Sequence, residues 1–88
     1  MIKTRLPCCL TQGGHVLTGG ERVTPAPELA GGWYISPCII DHVADHMTVA
    51  QEEIFGPVAC IFTFKDEDDV IRRANASEYG LAAGIFTK

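Results

Sequence analysis

The sequence predicts an α/β fold in which a βαβ unit sits on a mainly parallel sheet. Three observations predict it. Residues 58–64 and 81–87 are apolar almost throughout, as in strands covered on both faces, and such strands belong to parallel sheets. Between them a helix is written from cap to cap. Asp66 is a suitable N-cap, Glu67, Asp68 and Asp69 fill the first turn, and Arg72 and Arg73 fill the last, matching the helix dipole at both ends. Strand, helix and strand together take about 30 residues, the length of a right-handed crossover.

The other elements follow from the N-terminus. Residues 1–12 carry Lys3, Arg5 and Leu-Pro-Cys-Cys-Leu with neither helical nor alternating period, so Cys8 and Cys9 are expected to be surface or half-buried thiols in a loose terminus. His15 to Thr18 reads as a short strand closed by Gly19-Gly20. Residues 21–32, with Pro25, Pro27 and Gly31-Gly32, read as a mobile surface loop. Residues 33–40 form a second strand that Pro37 confines to an edge or a bulge. Trp33 and Tyr34 there either pack onto the fold or wall a site for a cationic group, and packing is the favoured reading.

Asp41, His42, Asp45 and His46 give an Asp-His-x-x-Asp-His pattern, but a metal site needs a third inward ligand and a dry pocket, so no metal site is expected there. Thr48-Val49-Ala50 is then a brief extended run. After the strand at 58–64, Val70, Ile71 and Ala74 make a narrow stripe for docking the helix onto the sheet. Residues 75–80 end that helix. Only one amphipathic helix is available to cover a sheet with two faces, so apolar surface on the order of several hundred Å² should stand bare. The chain therefore reads as a piece of something larger.

Composition sets further bounds. With 88 residues there is room for one small domain, and a chain of that size buries only about 60–65% of its unfolded surface. Seven basic against eleven acidic residues leave a net charge of −4, which argues against nucleic acid as a partner. No apolar run approaches a membrane span of about 20 residues, and the start lacks a secretory core, so a cytoplasmic protein with no membrane partner is expected. The four cysteines, at positions 8, 9, 38 and 60, are read as reduced thiols.

Candidate chemistry concentrates in residues 51–57, Gln-Glu-Glu-Ile-Phe-Gly-Pro. Gly56-Pro57 bends the chain and presents the side chains before it. Glu52 and Glu53 are neighbours, so in extended backbone they point to opposite sides and at most one faces a cleft. One functional acid is expected, and no catalytic pair.

That block, Glu52-Glu53-Ile54-Phe55-Gly56-Pro57-Val58, resembles the NAD(P)-dependent aldehyde dehydrogenases. Arg73-Ala74-Asn75, the run from Tyr79 to Thr87, and Gly32-Trp33-Tyr34-Ile35-Ser36-Pro37-Cys38 match at the family's spacing. Within the family, Gly19-Gly20-Glu21-Arg22-Val23, Pro37-Cys38 and the acidic run Glu67-Asp68-Asp69 are most similar to the betaine-aldehyde and 4-trimethylaminobutyraldehyde enzymes. The resemblance covers residues 13–88 as part of the catalytic domain and leaves residues 1–12 as an unmatched N-terminal segment.

The resemblance implies oxidation of an aldehyde to a carboxylic acid: attack by a cysteine thiolate, hydride transfer to NAD (or NADP), and hydrolysis of the thioester by water activated by a glutamate. It assigns Glu53 to the hydroxyls of the nicotinamide ribose and Phe55 to the side of the nicotinamide ring. It assigns no catalytic residue and no metal ligand to this chain. An intact parent would be a homo-oligomer.

Neither a Gly-Gln-x-Cys nucleophile, nor a second glutamate in the general-base context, nor a dinucleotide-binding glycine loop occurs in these residues. The chain by itself is thus expected to be inactive. The rival expectation is a non-enzymatic truncated paralogue or interaction module that docks to a partner subunit.

Overall fold

The computed structural model describes residues 9–88. Residues 9–11 are helical, and five strands follow: β1 (His15–Thr18), β2 (Arg22–Val23), β3 (Tyr34–Ile35), β4 (Cys38–Asp41) and β5 (Val58–Cys60). Two helices accompany them, α1 (Thr48–Gln51) and α2 (Glu67–Ala74). The fold is α/β with a mixed main sheet, in the order β1-β4-β5. β4 runs antiparallel to β1, pairing His15 with Asp41, and parallel to β5, pairing Cys38 with Val58 and Ile40 with Cys60. β2 and β3 form a separate antiparallel ribbon.

Pro37 falls between β3 and β4, so the expected single strand is two. β4 is central rather than at an edge. The proline precedes its first residue, where a missing N–H costs no ladder bond, and the Cys38 N–H instead donates to the Pro57 carbonyl at 2.8 Å. The proline-rich stretch is not all loop either. Arg22 and Val23 pair with Ile35 and Tyr34, and Pro27–Leu29 is one 3-10 turn with proline at its start.

The core consists of Cys9, Cys38, Ile40, Val43, Met47 and Val49. Cys9 is fully buried, which corrects the expectation of a loose terminal thiol; Cys8 lies outside the described residues. Gly14 admits the Cys9 sulfur, since a Cβ there would stand 2.1 Å from it. Gln12 is likewise built in, because its Oε1 accepts from the Thr48 N–H at 3.0 Å. That bond satisfies one orphan donor at the start of α1, and it helps explain why Thr48–Gln51 is a helix and not the extended run that was expected.

α2 carries the expected caps: the Asp66 side chain accepts from the Asp69 N–H at 2.8 Å, and Arg72 and Arg73 sit in the last turn. Its stripe, however, docks poorly. No α2 residue is buried, and Ile71 is 51% exposed. Residues 81–87, expected to be the second strand of the crossover, form no strand, and Leu81, Ile85 and Phe86 are almost wholly exposed. Without that neighbour β5 ends at Cys60, and residues 61–64 extend it with a single ladder bond, from the Ile61 N–H to the Ile40 carbonyl at 2.8 Å.

Candidate functional site

The segment between α1 and β5 carries both residues singled out from the sequence. α1 closes with the Glu52 N–H donating to the Thr48 carbonyl at 3.0 Å, and the chain then runs past Glu53 to Phe55. The unusual backbone angle falls on Phe55 at φ 56°, and not on Gly56. Left-handed backbone is costly for a bulky residue, and such residues concentrate where the fold has a use for the side chain. The Phe55 ring is 79% exposed, and Glu53 is exposed beside it.

A cleft of about 720 Å³ opens between α1 and α2, lined among others by Asp45, Gln51, Glu52, Phe62, Arg73 and Glu78. Glu52 faces this cleft, whereas Glu53 and Phe55 do not line it. Neighbours in extended backbone point to opposite sides, and of the two carboxylates only Glu52 lines the cleft. Glu53 and Phe55 are both exposed, two positions apart on the same segment.

The polar wall of the cleft is organised by Arg73. Its Nε donates to both oxygens of Asp45, at 3.1 and 2.9 Å, and its Nη2 donates to Oδ1 at 2.7 Å. Nη1 donates to the Thr63 carbonyl at 2.5 Å and lies 3.5 Å from Asp69 Oδ2. The guanidinium also stands 6.0 Å from the Phe62 ring centroid. Hydrogen bonding to Arg73 holds the Asp45 carboxyl below the usual aspartate range, and the same contact raises Arg73 further. Asp69 is lowered first by the Lys65 backbone N–H and then by Arg72 and Arg73.

No local pattern marked Asp45 and Arg73 as partners. They lie 28 residues apart, and only the fold brings them together. The Asp-His-x-x-Asp-His stretch is not helical: Asp45 goes to Arg73, while His42 meets His15 edge to face at 6.0 Å. Among the described residues no group of three or more His, Cys, Asp or Glu could hold a metal ion. Trp33 is 77% exposed, which overturns the expectation that it packs into the fold. Arg22 stacks over its ring at 4.3 Å, and its Nη2 donates to the Gly32 carbonyl at 3.2 Å.

An α/β sheet that delivers a Glu-Glu-Ile-Phe-Gly-Pro segment in this way defines a class that comparison with known proteins identifies. The model of the aldehyde dehydrogenase family matches residues 8–88. The chain is 55% identical over 78 residues to 4-trimethylaminobutyraldehyde dehydrogenase B of Danio rerio, covering 88% of this chain and 15% of that protein. Against the 4-trimethylaminobutyraldehyde dehydrogenase of Rattus norvegicus the identity is 51%, with 88% and 16% covered. Betaine aldehyde dehydrogenase of Staphylococcus aureus in complex with NAD+ superposes with a TM-score of 0.89 at 33% identity, covering 99% of this chain and 17% of that one. An aldehyde dehydrogenase of Bacillus cereus, also an NAD+ complex, gives 0.86 at 38% identity with the same coverage.

The chain belongs to the aldehyde dehydrogenase family. It spans about one sixth of the length of these relatives. No helix among its described residues is long and apolar enough to cross a membrane.

Proposed function

We propose that this chain supplies the nicotinamide-ribose contact of an NAD-dependent aldehyde dehydrogenase that oxidises an aldehyde to a carboxylic acid. The observation that carries the reading is Phe55, held in left-handed backbone with its ring outward, two residues from the exposed carboxylate of Glu53. The donor set fits the cofactor. An ionised carboxylate accepts two vicinal hydroxyls in charge-assisted hydrogen bonds, and an aromatic ring limits the freedom of a flat heterocycle beside it. NAD, or NADP, supplies the hydride acceptor when bound. Glu53 orients the ribose and Phe55 restrains the ring.

Relatives named for 4-trimethylaminobutyraldehyde and betaine aldehyde support an amino-aldehyde of that kind as substrate. A homo-oligomeric, cytoplasmic parent belongs to the same reading, and the chain on its own is inactive in it.

The test is Glu53→Gln in the intact parent. Losing a charge-assisted bond worth about 1.5–3 kcal/mol slows hydride transfer by about tenfold or more and changes NAD affinity less. An unaltered rate together with an unaltered primary deuterium isotope effect would falsify the assignment. The rival reading, a docking module without chemistry, is favoured by the exposure of Leu81, Ile85 and Phe86. It predicts a defined complex with a partner subunit in light scattering, where the enzymatic reading predicts none.

A further inference from the structure

We infer that Arg73, acting through Asp45 and Gln51, is the positioning residue for the segment that carries Glu53 and Phe55; the functional part of this inference rests on the cofactor reading above. The links are continuous. Arg73 on α2 grips the Asp45 carboxylate with three hydrogen bonds, and the Gln51 side-chain amide donates to the Asp45 backbone carbonyl. Gln51 is the last residue of α1, and Glu53 follows two positions later. Arg73 is fixed in turn by the Thr63 carbonyl and by Asp69, so α2 and the extension of β5 hold the grip from the other side.

The geometry suits orientation better than global stability. The Asp45 side chain is 52% exposed and Arg73 19%. Exposed ion pairs contribute little net free energy, and neither residue belongs to the core. A guanidinium that meets a carboxylate through several donors nevertheless fixes direction as a lysine cannot. α1, a single turn, needs such a tie: a helix of four residues has no stability of its own. It is held at its start by Gln12 and near its end by Gln51. Releasing the second tie frees the exit of the helix, where the chain turns toward Glu53, and leaves the sheet intact.

Amide hydrogen exchange of the full 88-residue chain tests the link without cofactor. In Arg73→Gln and Asp45→Asn the amides of Gln51 and Glu52 should exchange about tenfold faster through local opening, while that of Ile61 should change far less. Arg73→Lys, which keeps the charge and the fold but loses the fork, should fall between. Equal acceleration at Ile61, or no acceleration at Glu52, overturns the inference. In the intact parent the same variants should lower the hydride-transfer rate with the NAD dissociation constant little changed, and Arg73→Lys should restore part of it. Faster exchange at Glu52 with an unaltered hydride rate overturns the cofactor reading and leaves the mechanical link standing.

Discussion

Gly19 stands where a Cβ would lie 1.6 Å from the carbonyl oxygen of Pro37, with its own φ at 72°. Space and backbone angle both require glycine, at the point where the chain leaves β1 for the β2–β3 ribbon. Gly19→Ala is therefore expected to destabilise the chain by about 2 kcal/mol or more, beyond the ordinary cost of alanine in left-handed backbone. A methyl group at Gly31 would meet nothing within 4 Å, and Gly31→Ala should stay within about 0.5 kcal/mol of the parent. Urea midpoints of the two variants check this, and equal midpoints would contradict it.

Ile40 is fully buried on the central strand while Ile71 is half exposed on α2. Truncating the first should cost about 2–5 kcal/mol, as cavity-forming changes in a packed core do. Truncating the second should cost less than about 1 kcal/mol. Thermal unfolding of Ile40→Ala and Ile71→Ala gives the comparison. A large loss at Ile71 would mean that the apolar stripe of α2, and not its polar ties, holds that helix to the sheet.

These two isoleucines also show what was legible in the sequence. The caps of α2 were readable because capping is local: Asp66 and Asp69 are three residues apart. β1 and its glycine turn were readable for the same reason. That residues 58–64 begin a strand in a parallel pair was readable from their apolar run, but neither the partner, β4, nor the strand's length was, because a strand lasts only as long as a neighbour pairs with it. Residues 81–87 have a strand's composition and no strand partner among the described residues. The burial of Cys9 and the grip of Arg73 on Asp45 depend on contacts across the fold, for which no short-range pattern exists. At the site, the block from Glu52 to Pro57 was visible as a motif, while the left-handed angle at Phe55 was not, since Gly56 was the residue expected to take it.

Burial pushes the Cys60 thiol up from its ordinary pKa, and the neighbouring Cys9 and Cys38 add to the shift; burial alone raises Cys38. A raised thiol pKa keeps the reactive thiolate scarce near neutrality. Both thiols should react slowly with a disulfide reagent at about pH 7.5 and at free-thiol rates only after unfolding. The linkage has a definite sign. The folded state holds these protons more tightly, so their contribution is complete below the unfolded pKa of about 8.5 and is lost as pH rises through the folded values. Cys60→Ala should flatten the alkaline side of the stability profile, and rapid labelling of Cys60 in the folded chain would contradict the assignment.

On the acid side the relevant group is Asp45, with Asp69 behind it. Both carboxyls are lowered in the folded chain, Asp45 by Arg73 and Asp69 first by the Lys65 N–H. A group whose pKa falls on folding contributes stability above its unfolded pKa, about 3.9 for aspartate, and loses it as pH drops through the folded value. The parent should therefore exceed Asp45→Asn in unfolding midpoint at about pH 6, and the gap should close as pH falls through the folded-state pKa of Asp45, once it is protonated in both states. Added salt should narrow the gap at the higher pH, because a half-exposed pair is screened. A gap that stays constant over this range would mean that Asp45 acts through its shape and hydrogen bonds rather than its charge.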